Sequence, residues 1–167
     1  DAVILMQMTF KDINFLNIKG NWNADEFKTL RPMTPFSDKV IDYLDSLSKE
    51  LNKNDQTRLY PDVATFAFFC RKANILKLKK KYYHDDLIKL GRGIVFHITP
   101  SNVPVNFAYS LIVGMLSGSS NIVKVPSKKF DQVKIIIEAI NVLSEINEHE
   151  SVSKSIVLVR YDRSNNA

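Results

Sequence analysis

The stretch that decides the fold runs from Gly93 to Lys128, GIVFHITPSNVPVNFAYSLIVGMLSGSSNIVKVPSK. Gly93 to Thr99 is a short apolar run with β-branched residues, which predicts a strand. Val105 to Ser117 predicts a helix, and Gly118 closes it. Asn121 to Val125 predicts a second strand. A polar, proline-stiffened loop follows the first strand, Thr99-Pro100-Ser101-Asn102-Val103-Pro104. A basic loop follows the second, Lys124-Val125-Pro126-Ser127-Lys128. Open α/β sheets bind ligands just beyond the C-terminal ends of their strands, where both loops stand.

Downstream, Asp131 to Asn147 predicts an amphipathic helix through Val133, Ile136, Ile137, Ile140, Val142 and Leu143. Ser155 to Tyr161 predicts a third strand. The order from Gly93 is thus β-α-β-α-β with short links. Apolar strands joined by crossover helices imply a parallel sheet, the mononucleotide-binding half of a doubly wound fold. Upstream, Ala2–Met6 and Asn14–Ile18 are candidate strands, and Pro32 and Pro35 punctuate a linker. A helix follows Ser37 as N-cap, with Val40, Ile41, Leu44, Leu47 and Leu51 on one face. A second helix is expected from Pro61 to Tyr83, burying Val63, Phe66, Ala67, Cys70, Ile75 and Leu78. The organisation expected is an N-terminal segment, residues 1–90, whose two helices pack on a partial Rossmann-like domain, residues 91–167.

Composition narrows the classes. Apolar residues make up 45% and charged residues 25%, as in a globular protein. The uninterrupted apolar runs are far below the roughly 18 residues of a membrane span, and the start lacks a basic-then-apolar signal segment. One cysteine excludes an internal disulfide, and no Cys/His spacing suggests a metal site. A cytoplasmic protein without a nucleic-acid partner is the expectation. The net charge of +5 is densest at Lys77, Lys79, Lys80 and Lys81, where a solvated helix end accounts for it.

Two uses fit Asn102 by pattern. Its amide could cap the following helix. That is the commonest use of Asn at such a place; held between Pro100 and Pro104, it could also donate to a developing oxyanion without competing for a proton. Lys124, Lys128 and Lys129 precede a helix, where acidic residues are usual. They suit a nucleotide phosphate or form a solvated basic turn. Neither G-x-G-x-x-G nor a P-loop signature is present. Cys70, beside Phe68 and Phe69, fits a core position better than a nucleophile, since no base or helix N-terminus activates it. His97 alternates within the first strand as a packed or hydrogen-bonded histidine.

Gly91 to Ser110, GRGIVFHITPSNVPVNFAYS, resembles the LuxC-type acyl-CoA reductases, the fatty-acid reductase branch of the aldehyde dehydrogenase superfamily. So do Asn121 to Lys128 and Tyr60 to Ala73, YPDVATFAFFCRKA; the likeness spans residues 35 to 163. The resemblance implies NADPH-dependent reduction of an acyl-CoA to an aldehyde through an acylated cysteine. It implies that Asn102 is the oxyanion donor. Thr99, Pro100, Ser101, Lys124, Pro126, Ser127 and Lys128 would line the cofactor. Ser101 stands where the broader superfamily has tryptophan. Lys124 is one place earlier than the superfamily lysine, which turns it to the other face of its strand. Lys128 replaces a ribose-binding glutamate, which suits a 2′-phosphate. The implied partners are acyl-CoA and a C-terminal part of the same enzyme carrying the nucleophile, without which this segment is expected to be inactive; a homo-oligomer is left open. An aldehyde dehydrogenase that never uses CoA, or a short non-catalytic nucleotide-binding or interaction module, are the alternatives.

Overall fold

The structure, a computed structural model, describes residues 13–18, 22–84 and 88–161. Its elements are β1 (Asn14–Phe15), α1 (Ala24–Lys28), α2 (Asp38–Lys53), α3 (Pro61–Phe69), α4 (Lys72–Tyr82), β2 (Ile94–Ile98), α5 (Asn106–Leu116), β3 (Ser120–Lys124), α6 (Asp131–Ser144), α7 (Glu150–Ser153) and β4 (Ile156–Arg160), with short 3₁₀ turns at Asp55–Leu59 and Asn147–His149. The strands form one sheet in the order β1-β4-β3-β2. β2, β3 and β4 are parallel neighbours, with α5 connecting the first pair and α6 leading to the third strand. The chain is therefore α/β, with the β-α-β-α-β half expected. The candidate strand Ala2–Met6 lies outside the described residues. The second upstream candidate contracts to the two residues of β1, which pair antiparallel with β4 and make the sheet mixed.

The two faces of the sheet differ. On one, Val123, Ile156 and Leu158 lie under α2, α5 and α6, in a core that includes Ile41, Leu44, Phe66, Phe107, Ile112 and Ile136. On the other, Val157, Val159 and Ile122 pack with Phe27, Trp22 and Phe15. That second cover stops short of β2. Phe96 sits opposite Ile122 in the register, yet Ile94, Phe96 and Ile98 remain 44%, 49% and 70% exposed.

One expectation is corrected. Residues 61–83 form two helices, not one. The break falls at Cys70–Arg71, where Arg71 leaves helical geometry (φ −57°, ψ 136°). Neither Gly nor Pro marks it, but the apolar spacing slips phase between Cys70 and Ile75. Side chains satisfy the freed backbone groups, as helix ends require. The Asn74 amide donates to Phe69 O at 2.9 Å, and the Asp45 carboxylate of α2 accepts the Lys72 N–H at 3.0 Å. Lys49 also bonds Asp45, at 2.7 Å. The Lys49 ammonium and then the Lys72 N–H hold the Asp45 carboxyl below its ordinary range. Ser37 occupies the N-cap of α2 without a side-chain capping bond.

The end of α5 shows why glycine stands at 118. Gly118 has φ +81°. Its N–H reaches Met115 O at 2.9 Å, and the Ser119 N–H reaches Gly114 O at 3.2 Å, the paired bonds of a Schellman cap. Backbone from three distant segments then converges. The Met33 N–H donates to Gly118 O at 2.9 Å, and the Gly91 N–H to Met33 O at 3.0 Å. A Cβ on Gly118 would lie 2.0 Å from Met33 O, and one on Gly91 would lie 2.1 Å from Gly118 O. This junction fastens the entry to β2 and the exit of α5, the two elements that carry the first loop.

Candidate active site

Ile98 and Lys124 are register partners at the C-terminal ends of β2 and β3. Both singled-out loops therefore leave the same edge of the sheet, side by side. In the first, residues 101–105 turn before α5 begins at Asn106. Val105 is the N-cap of α5, and no side chain caps it. Asn102 is exposed, and its amide makes no hydrogen bond within the described residues. This removes the capping explanation for Asn102. Val105 is 6% exposed, so the loop is anchored at its C-terminal side by core packing. Thr99 Oγ1 is buried without a partner. Pro100 and Ser101 are exposed.

The second loop is laced to the end of β4. The Val125 N–H donates to Val159 O at 2.8 Å, Arg160 Nε to Pro126 O at 3.1 Å, and Ser127 Oγ to Tyr161 O at 3.2 Å. Val125 is fully buried, whereas Lys124 Nζ lies 4.1 Å from the centre of the Tyr161 ring. The one-place offset of Lys124 therefore turns its cation away from the α5–α6 core, as alternation along a strand requires. Lys128 is exposed, with Nζ 5.1 Å from the Phe130 ring centre. Behind the lysines, Asp131 opens α6 and accepts the Tyr60 hydroxyl at 2.8 Å. That bond to a carboxylate raises the Tyr60 phenol above its ordinary value.

A half-buried polar chain, ending on the fully buried Asn121, was only partly visible in the sequence. His97 Nδ1 is 2.8 Å from Ser110 Oγ, and His97 Nε2 is 2.9 Å from Asn121 Oδ1. The Asn121 amide nitrogen donates to Ser119 O at 2.7 Å, and its own backbone N–H donates to Ser155 O at 2.7 Å. Asn121 is fully buried. The alternation of β2 pointed to a bonded histidine, but its partners come from α5 and β3. Gly114 was the overlooked clue. Glycine in a helix interior costs about 1 kcal/mol relative to alanine, so it needs a packing reason. A Cβ there would meet Asn121 Oδ1 at 1.9 Å.

Cys70 is fully buried, and burial pushes its thiol above the ordinary range. A nucleophile needs an accessible thiolate, so Cys70 is a core residue. Alkylating reagents should modify native Cys70 at least about a hundredfold more slowly than the urea-unfolded chain, because reaction awaits opening of the α3–α4 junction. Equal rates would place the thiol at the surface.

A family description for acyl-CoA reductase (LuxC) matches residues 17–167. The chain belongs to the LuxC acyl-CoA reductase family. No curated protein and no solved structure matches it. That family is one of acyl-CoA reductases, oxidoreductases that act on an acyl-CoA. Among the described residues, no helix is long and apolar enough to cross a membrane.

Proposed function

We propose that this chain is the N-terminal part of an enzyme that reduces an acyl-CoA thioester to an aldehyde with NADPH, through an acyl-cysteine. The observation that carries the proposal is Asn102, an amide with no hydrogen-bond partner among the described residues, on a loop stiffened by Pro100 and Pro104 beside the basic loop of the next strand. The roles follow from that placement. Asn102 donates to the thioester oxygen as negative charge develops on it, and binds it more tightly in the transition state than before. The acylated cysteine comes from outside this segment, since Cys70 is buried.

The donor set fits a dinucleotide phosphate. Lys124 and Lys128 supply cations at one sheet edge, and the Ser127 hydroxyl, whose hydrogen goes to Tyr161 O, can accept or exchange that bond for one to the ligand. Thr99, Pro100 and Ser101 would line the nicotinamide side; Lys124, Pro126, Ser127 and Lys128 would hold the ribose and its phosphate. When bound, NADPH supplies the hydride.

The test is a paired assay of the enzyme containing this segment, acyl-CoA with NADPH against free aldehyde with NAD. Turnover of aldehyde and NAD alone would reassign it to CoA-independent dehydrogenation. Lys128→Glu should lower kcat/KM for NADPH about tenfold more than for NADH, because a carboxylate repels a 2′-phosphate but accepts bonds from a free ribose. Equal losses would mean that Lys128 does not face the ribose.

A further inference from the structure

We propose that Ser110, His97 and Asn121 form a positioning clamp for the Thr99–Val105 loop, a role that rests on the reading of Asn102 as the oxyanion donor. The clamp spans the loop at its base. His97 is in β2, just before the loop, and Ser110 is in α5, just after it. Their 2.8 Å bond closes the loop from inside the fold. The second ring nitrogen ties the same histidine to Asn121 of β3, so the loop is referenced to the strand that carries the basic loop.

The Asn121 amide sets the direction of the two bonds it makes in the chain. The Asn121 amide must place its nitrogen toward Ser119 O, because the flipped amide would set two acceptors 2.7 Å apart. Asn121 Oδ1 therefore accepts, and His97 Nε2 must carry the hydrogen. In the Nε2–H tautomer Nδ1 accepts, and the Ser110 hydroxyl donates to it. A half-buried chain in which each donor has an acceptor favours a single arrangement of its three elements. Gly114 lets α5 approach closely enough for that arrangement to form. Asn102 has no hydrogen bond of its own among the described residues, so the base of its loop is where its position is set.

Two measurements test this. In the chain itself, ¹⁵N–¹H correlation of the His97 ring should show the Nε2–H tautomer. Ser110→Ala should lower the backbone order parameters of residues 101–103, and Ser110→Thr, which keeps the hydroxyl, should restore them. An Nδ1–H tautomer, or a loop equally ordered in Ser110→Ala, overturns the clamp. If Ser110→Ala does not fold, His97→Gln serves instead, since it keeps a donor toward Asn121 and loses the acceptor for Ser110. In the enzyme, Ser110→Ala should lower kcat about tenfold or more with KM within about twofold, the signature of a misplaced group. It should cost nothing further in an Asn102→Ala background. A full additional loss there overturns action through Asn102. If Asn102→Ala alone leaves kcat intact, the donor reading fails, and the order parameters still decide the clamp.

Discussion

Asn102→Ala lowers the reductive step about 100- to 1,000-fold, or roughly 3–4 kcal/mol, while the melting curve does not move. Two facts set this expectation. The loop is stiffened at both ends, by Pro100 and Pro104, so its donor is preorganised. The Asn102 side chain bonds to nothing among the described residues, and α5 starts four residues later with Val105 as its uncapped N-cap. A capping asparagine would cost about 1 kcal/mol of stability on removal. Here that cost is absent, so activity and stability separate cleanly. Single-turnover reduction and thermal unfolding of the same variant are the measurements. A variant with unchanged turnover would leave Asn102 as an ordinary exposed loop residue and remove the catalytic assignment from this segment.

Gly114→Ala destabilises the chain by about 2–4 kcal/mol, although helix propensity alone would make it stabilising by about 1 kcal/mol. The new methyl would stand 1.9 Å from Asn121 Oδ1 and 2.9 Å from His97 Cε1. Neither side chain can yield cheaply. Asn121 is fully buried and bonded through its oxygen, its side-chain nitrogen and its backbone N–H. Either α5 lifts off the sheet or the amide rotates and strands a buried acceptor, and each route carries a penalty of this size. Urea unfolding gives the sign directly. A midpoint above that of the wild type would show that α5 shifts freely over β3.

The parallel strands were legible because each is a short β-branched run bounded by glycine, proline or serine, with a helix-length segment between. That spacing admits a crossover and excludes a hairpin. The site edge was legible for the same reason, since the C-terminal end of a parallel strand is known once the strand is. β1 was only half legible. Two residues carry almost no periodicity, and their pairing with β4 is made at very long range. The α3–α4 break was missed because its stop signals lie elsewhere in the chain, notably Asp45 on α2. The fate of Asn102 was undecided because capping and non-capping asparagines look alike until the first helical residue is placed. The polar chain through His97 required the packing of α5 on β2 and β3, which no local pattern encodes.

Among the described residues, β2 is the outer strand of the sheet. Over its five residues, about 17 Å of backbone, it turns every second peptide group outward, with Ile94, Phe96 and Ile98 uncovered beside them. Natural edges of this kind are usually blunted by lysine, proline or a bulge, and Ile94–Ile98 contains neither lysine nor proline. Long-range repulsion from the excess of positive charge, +5 over the whole sequence, opposes such pairing. That repulsion reaches only about 10 Å at 0.1 M salt and less above it. Colloidal stability of the isolated chain is therefore a question of ionic strength: a dilute buffer keeps copies dispersed, and added salt lets one β2 find another.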